Sequence, residues 1–115
     1  MGIQIIRQST AVGGLADRGA VPVPLSQPAC HIGGIDVTIP GREACSTGIW
    51  ECTPGQFQRQ IAQGEVMHFL AGACSFTPDG GQALEICAGD TLFFSPDTTG
   101  VWDVRETVRK VYVLV

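Results

Sequence analysis

The stretch 65–72, EVMHFLAG, predicts a β-strand that ends in a glycine turn and carries one carboxylate among apolar neighbours. A hairpin follows directly, with ACSFT at 73–77, a turn at Pro78-Asp79-Gly80-Gly81, and QALEIC at 82–87. Asp-Gly between two strand-like runs is a strong hairpin signal, because both central residues of the turn must tolerate positive φ. We therefore expect a chain organised around antiparallel strands.

The rest of the chain from Gly48 onward has the same sequence pattern of short strand-like runs separated by turns. Pro54-Gly55, Gln63-Gly64 and Ala88-Gly89 separate the runs, and no stretch longer than ten residues has the apolar period of a helix. Strands are predicted at 48–52, 57–61, 65–70, 73–77, 82–87, 91–94, 101–104 and 107–115. The predicted fold class is all-β, and this spacing is typical of a sandwich or barrel.

The composition excludes several classes of function. The 115 residues are enough for one domain with its own core, and 15 glycines with 16% charged residues suit short strands and tight turns. A net charge of −4 repels phosphate backbones, so no nucleic-acid partner is expected. No apolar run approaches the roughly 18 residues of a membrane helix, and no signal sequence is recognised, so we expect a soluble, cytoplasmic protein without a membrane partner.

The cysteines give no sign of a metal site or a disulfide framework. They are an odd set without a C-x-x-C pair: Cys30, Cys45, Cys52, Cys74 and Cys87. We expect reduced thiols that behave as small hydrophobes.

Residues 1–47 differ from the rest and are predicted to form an extended N-terminal arm, followed by the domain proper at 48–115. Pro22, Pro24 and Pro28 disfavour regular structure, while the alternating IDVTI at 35–39 predicts an edge strand. The arm is expected to lie along the domain or across a partner subunit, with disorder of about the first 20 residues as the alternative. Strands that are apolar on both faces need such a cover, so a homodimer is expected.

Several motifs resemble the cupins, which are small jelly-roll barrels. Glu65 and Gly72 match the glutamate-to-glycine spacing of the first cupin block, and Gly89-Asp90 with Pro96 matches half of the second. The motifs G-x-W-E-C-x-P-G at 48–55, D-G-G at 79–81 and G-x-W-x-V-x-E-x-x-R-K-x-Y at 100–112 are similar to single-domain cupins of one group. That group includes the cupin domain of ureidoglycine aminohydrolase and an ethanolamine-utilisation cupin. The resemblance implies a cupin-type jelly-roll barrel.

The resemblance fails where the metal-binding cupins hold Mn, Fe, Ni or Zn, which they do with three histidines and the glutamate. Neither 56–64 nor 97–103 contains a histidine, so of the usual set only Glu65 remains. One carboxylate cannot hold a transition metal. His68 is three residues after Glu65, and an odd separation in a strand puts it on the opposite face; His31 has no partner by spacing. We expect no metal and no other cofactor.

Glu65 is the first candidate catalytic residue, since Met67 and Phe69 on its face are apolar and a carboxylate there needs a cation or a raised pKa. The alternative is a relic of the metal site that is kept for packing. In the last strand Val111, Val113 and Val115 are predicted to be core, which makes Lys110 and Tyr112 project together. Those two are the other candidate catalytic residues; a solvated edge lysine is the alternative for Lys110.

The predicted ligand-binding residues are Arg59, Trp50, Trp102 and Phe57. By the resemblance, Arg59 lies where metal cupins carry histidines, and it could replace the lost positive charge; an exposed arginine is the alternative. The tryptophans are placed at the mouth of the barrel, with plain core packing as the alternative.

Three functions follow as hypotheses. The first is binding of a small polar metabolite in the barrel mouth without a transition metal. The second is an enzyme that acts on a ureido- or amino-acid-like nitrogen compound, which rests on the resemblance alone. The third is a non-catalytic structural or accessory protein whose barrel is filled by side chains.

Overall fold

The computed structural model describes residues 2–115, which form eight β-strands and no helix. The strands are β1 (Ala16–Ala20), β2 (His31–Val37), β3 (Ser46–Cys52), β4 (Gly55–Ile61), β5 (Glu65–Pro78), β6 (Leu84–Cys87), β7 (Thr91–Phe94) and β8 (Thr98–Leu114). All pairings between them are antiparallel. The predicted all-β fold and the hairpin between β5 and β6 are confirmed. Nothing in this range is a helix capable of crossing a membrane.

Two long strands replace four of the predicted short ones. The stretches 65–70 and 73–77 join into β5, and 101–104 and 107–115 join into β8. The predicted break at Ala71-Gly72 is instead a bend, where the register between the two strands shifts repeatedly between Phe69 and Cys74. Bulges of this kind bend a strand without ending it, so β5 and β8 stay paired on both sides of the bend.

The bend divides the sheet into two layers that share β5 and β8. The first layer has the order β1-β2-β3-β8-β5-β7 and uses the C-terminal half of β8; the second has the order β4-β8-β5-β6 and uses its N-terminal half. Across the layers the ring of Phe76 on β5 packs edge-on against Phe94 on β7, with centroids 5.2 Å apart. The cupin jelly roll is confirmed, but the hydrogen-bonded sheet does not close into a barrel.

The N-terminal segment belongs to the same sheet. β2 lies between β1 and β3, so the prediction of an edge strand at 35–39 is wrong; β1, which the sequence did not indicate, is the edge. The residues before β1 cover the outer face of the first layer. There the Arg109 guanidinium donates hydrogen bonds to the carbonyl oxygens of Ser9 and Val12, at 3.1 and 2.7 Å. Ile49 beneath them is only 2% exposed. The division into an arm and a domain at residue 47 stays a prediction.

The core lies between the layers and contains Phe57, Met67, Phe69, Phe76 and Trp102 among its largest members. The prediction that Val111, Val113 and Val115 form core is wrong. Lys110 is buried on the inner face of β8, while Val111 and Val113 are only half-buried and Val115 is 65% exposed. Side chains do alternate between the two faces of β8, but the inner face is the one that carries Lys110, and the valines are on the other. The valines could take the outer face because the N-terminal segment covers it, where Val111 lies beside Gln4 and Ile6.

We expect Gly72→Ala to destabilise the fold more than Gly89→Ala. Both glycines have positive φ, +88° and +97°, so an alanine at either position costs about 1–2 kcal/mol of backbone strain. Only at Gly72 would the new methyl group meet backbone, 2.2 Å from the carbonyl oxygen of Thr107. The Gly72 variant should therefore lose about 2 kcal/mol more than the control in urea denaturation. Equal losses would show that the close approach at the bend is unimportant.

Candidate functional site

A cavity of about 170 Å³ lies between the two layers. The first layer contributes Trp50, Glu65, Met67, Lys110, Tyr112 and Leu114, and the second contributes Phe57, Arg59, Ile61 and Trp102. All seven residues singled out from the sequence are in this lining. The structure thus brings them together, while their catalytic and binding roles remain predictions.

A buried ion pair lies in the cavity wall. The Lys110 ammonium donates a hydrogen bond to Glu65 Oε2 at 3.0 Å and contacts Met67 Sδ at 3.2 Å. Because Tyr112 pairs with Met67 and Leu114 with Glu65, the Lys110 side chain extends along the strands past Met67 to reach the carboxylate. Both charged side chains are only 7% exposed. Lys110 is also the one lysine in the sequence, so the chain's single ammonium side chain is inside.

Two indole rings complete the surroundings of this ammonium. The Lys110 Nζ atom is 4.5 Å from the ring centroid of Trp50 and 5.7 Å from that of Trp102, within the range of a cation–π interaction. Trp102 also packs against Phe76 in the core, with centroids 4.8 Å apart. Trp102 is therefore a core residue, the alternative given above, and its ring also lines the cavity; a place at the mouth stays a prediction.

Burial sets the protonation chemistry of the lysine. Removal from water lowers the pKa of Lys110, and the neighbouring Glu65 carboxylate opposes part of that effect. Arg59 acts in the same direction as burial, because its positive charge repels a second cation. The neutral amine is therefore easier to reach here than at an exposed lysine.

Tyr112 is held at the mouth of the cavity. Its hydroxyl donates a hydrogen bond to Asp36 Oδ1 at 3.3 Å, and Asp36 also pairs with Arg18 at 3.1 Å. The register places Gly48 between Asp36 and Tyr112, where a Cβ atom would lie 1.9 Å from the Ile35 carbonyl oxygen, so the strands approach here only with glycine. Burial and the Asp36 charge raise the pKa of Tyr112, so the phenol stays protonated. Sequence reasoning missed Asp36 because it placed residues 1–47 outside the domain.

Arg59 lies on the same face of β4 as the buried Phe57 and Ile61, but its own side chain is exposed at the edge of the cavity. No carboxylate of residues 2–115 forms an ion pair with it, in contrast to Arg18, Arg105 and Arg109. An arginine without a partner beside a cavity is a suitable anchor for an anionic group, because its planar fork matches a carboxylate.

Both histidines are remote from the cavity. His68 is exposed on the opposite face of β5 from Glu65, as its odd separation predicts, and its Nδ1 is 2.8 Å from the Thr91 hydroxyl. His31 is exposed and pairs with Asp17 at 2.5 Å. The aspartate, through its hydrogen bonds to Gly19 and His31, has a lowered pKa. Neither ring nitrogen can reach Glu65.

The residues around Glu65 do not fit the metal that other cupins hold. Glu65 is the one carboxylate in the lining, and it already forms an ion pair with the ammonium of Lys110. Across the described range no cluster of three or more His, Cys, Asp or Glu side chains is arranged for a metal ion. The buried thiols are poor substitutes, since burial raises the pKa of Cys74 to about 12 and keeps it protonated.

Comparisons with known proteins agree with this fold. A family described as "EutQ-like cupin domain" matches residues 41–112. No curated protein matches the sequence. A Pseudomonas syringae pv. tomato protein of the DUF861 family, of unknown function, has a similar structure with TM-score 0.79 and 20% identity over 90% of this chain. This chain spans 45% of the length of that protein.

Two further solved structures are similar to this fold. The EutQ protein of Clostridium difficile gives TM-score 0.66 and 18% identity over 82% of this chain and 79% of its own. A Thermotoga maritima DUF861 protein gives TM-score 0.57 and 31% identity over 58% of this chain and 76% of its own. The resemblance to the ethanolamine-utilisation cupin is confirmed, and the resemblance to ureidoglycine aminohydrolase stays a prediction.

The ion pair can be tested by a double-variant cycle. We expect Lys110→Met to lower the free energy of unfolding by about 3–5 kcal/mol, because it leaves the Glu65 carboxylate buried without its cation. Glu65→Gln should cost less, since Lys110 can release its proton. The double variant should recover most of the loss, as measured by urea denaturation.

The matched control is Glu85→Gln, which breaks the exposed pair between Glu85 and Arg105. Its effect should be far smaller, because exposed pairs contribute little to stability. An unchanged stability of Lys110→Met would contradict the assignment of a buried, compensated pair.

Proposed function

The chain belongs to the EutQ-like cupin domain family, and from that premise we propose that it binds a small polar metabolite in the cavity between its two layers, without a transition metal. The observation that supports this proposal is the buried Lys110–Glu65 pair, which lines a cavity instead of being sealed in solid core. A charge pair that is costly to bury is explained if it also contacts a ligand.

The lining suits a ligand that bears a carboxylate or an amide. Lys110 and Arg59 offer donors, Glu65 offers an acceptor, and the indole rings of Trp50 and Trp102 offer apolar surface. Ligand sites typically combine apolar walls with a few convergent polar groups in this way. The Tyr112 hydroxyl at the mouth adds a polar group that Asp36 holds in place.

The other two hypotheses are affected differently by the cavity. An accessory protein with a filled interior is less well supported, because about 170 Å³ between the layers is not filled by side chains. An enzyme that acts on a ureido- or amino-acid-like nitrogen compound remains the second candidate. It is favoured by the 3.0 Å contact between an amine and a carboxylate, which is the geometry that proton transfer requires.

The five cysteines bear on the compartment. All are free thiols, and Cys30, Cys52 and Cys74 are buried. Free thiols fit a reducing environment, so we place the protein in the cytoplasm.

Binding can be measured as a shift in melting temperature across a panel of small carboxylates and amides. We expect at least one compound to stabilise the wild-type protein, and Glu65→Gln to bind it at least about tenfold more weakly through loss of a charge-assisted hydrogen bond. The control is His68→Gln, a change on the opposite, exposed face. Elemental analysis of the same samples should find far less than one transition-metal ion per chain. A full equivalent of metal, or equal binding by Glu65→Gln, would contradict the proposal.

We also propose that the protein is a homodimer. The N-terminal segment covers its own chain, so the apolar surface available to a partner lies elsewhere, at Phe93 on β7 and Leu84 on β6, which are 77% and 53% exposed. These two side chains flank one groove beside the edge strand β6. An exposed apolar edge is a common site of self-association.

Light scattering at micromolar concentration should therefore give twice the mass of one chain. Phe93→Lys should give a monomer, because it puts a charge into the proposed contact, whereas Ile39→Lys, at another exposed apolar residue, should stay dimeric. A wild-type monomer would overturn this part of the proposal.

A further inference from the structure

We propose that Lys110 is a nucleophile that forms a Schiff base with the carbonyl carbon of a small oxo acid bound in the cavity. This inference rests on the proposed function, since it names the class of ligand and the bond that the ligand forms. It goes beyond binding, because a Schiff base makes the protein a covalent participant.

The first support is the position of the amine. The Lys110 Nζ atom lines the cavity and has two protein acceptors, Glu65 Oε2 at 3.0 Å and Met67 Sδ at 3.2 Å. A protonated amine carries three N–H bonds, and no third acceptor for this amine is found within residues 2–115. The third N–H bond therefore has no hydrogen-bond acceptor, only the cation–π contacts with Trp50 and Trp102, and a ligand in the cavity can supply one. Burial lowers the pKa of Lys110, which is how lysines are activated as nucleophiles.

The second support is the carboxylate at hydrogen-bond distance. Glu65 first accepts a proton from the Lys110 ammonium. The freed lone pair then attacks the carbonyl carbon, the carbon–oxygen π electrons move to oxygen, and a proton passes from nitrogen to that oxygen to give a carbinolamine. Glu65 returns its proton to the hydroxyl group, the carbon–oxygen bond breaks, water leaves, and the C=N bond forms. The balance is one ammonium and one carbonyl giving one iminium and one water, with no oxidant or reductant.

The third support is the environment of the product. The iminium carries the same single positive charge as the original ammonium, so the Glu65 carboxylate and the indole rings of Trp50 and Trp102 would stabilise it as they stabilise Lys110 now. No charge has to be created or moved out of the buried site. This is the kind of preorganisation that lowers the cost of a charged intermediate.

Arg59 indicates the class of carbonyl compound. It lines the same cavity from the opposite layer, is exposed, and has no carboxylate partner among residues 2–115. A carboxylate on the ligand would satisfy it with two parallel hydrogen bonds while the carbonyl carbon lies at Lys110. The cavity of about 170 Å³ limits the ligand to a small molecule. Together these features point to a short oxo acid.

The experiment uses the full chain with pyruvate as probe and sodium cyanoborohydride to reduce the imine. Because the sequence has one lysine, peptide mapping by mass spectrometry has only two amines to compare, Lys110 and the α-amino group. We expect the adduct at Lys110 to exceed that at the α-amino group. The rate of adduct formation at Lys110 should rise with pH and level off below the ordinary lysine pKa of about 10.4. Lactate, which has no carbonyl group at that carbon, should give no adduct.

Variants separate the roles of the cavity residues. Lys110→Arg keeps the charge but cannot form an imine, so the adduct at this position should be lost. Arg59→Gln should reduce trapping of pyruvate at least about tenfold through loss of its charge-assisted hydrogen bonds. The same variant should lose much less of its trapping of propionaldehyde, which has no carboxylate, because there only the loss of the Arg59 charge that lowers the pKa of Lys110 is felt. Glu65→Gln should slow trapping of both compounds.

The outcomes distinguish this inference from the proposed function. If pyruvate raises the melting temperature but labels only the α-amino group, the Schiff base is wrong and metabolite binding stands. If no compound of the carboxylate and amide panel, pyruvate included, binds the protein or labels Lys110, both the Schiff base and the proposed metabolite binding are wrong. Equal trapping of pyruvate by wild type and Arg59→Gln would overturn the oxo-acid assignment alone. Wild-type mapping decides the main question even if a variant does not fold.

Discussion

The pairing of β5 with β8 is the constraint on which the rest of this structure depends. The two strands pair at both ends, Glu65 with Leu114 on one side of the bend and Pro78 with Gly100 on the other. Because the same two strands run through both layers, the bend at Gly72 sets how the layers face each other. The cavity is a consequence of that bend, with Lys110 on one of its walls and Trp102, from the same strand, on the other.

The interior combines a dense aromatic core with one ion pair. Phe76, Phe94 and Trp102 pack at centroid distances of 4.8 to 6.0 Å, while Lys110 and Glu65 share the adjoining cavity. A hydrophobic pair of similar volume would often stabilise a protein as well or better than a buried ion pair. Stability alone therefore does not account for the two charges, and this is the basis of the proposed role in binding. In a metal-binding cupin the carboxylate would face a metal ion; here it faces an ammonium.

The N-terminal segment of the same chain covers the outer face of the first layer. Arg109 contacts Glu51 on β3 and the carbonyl oxygens of Ser9 and Val12, which fastens the N-terminal segment over the sheet. This contact explains why the valines of β8 could lie outside and leave the inner face to Lys110 and Tyr112. Alternation along a strand separates its two faces but does not say which is inner, since a covered outer face can be as apolar as a core.

The sequence by itself determined the fold class, the hairpin at Asp79-Gly80, the placement of Glu65 and His68 on opposite faces of one strand, and the small set of polar residues available for a site. These are local properties, because turn chemistry and a period of two act between near neighbours. Only the tertiary structure decided that Lys110 is inside, that β2 is internal, and that Asp36 holds Tyr112. These depend on contacts between residues up to about a hundred positions apart, such as Arg109 with Ser9, and the strand period carries no information about such contacts.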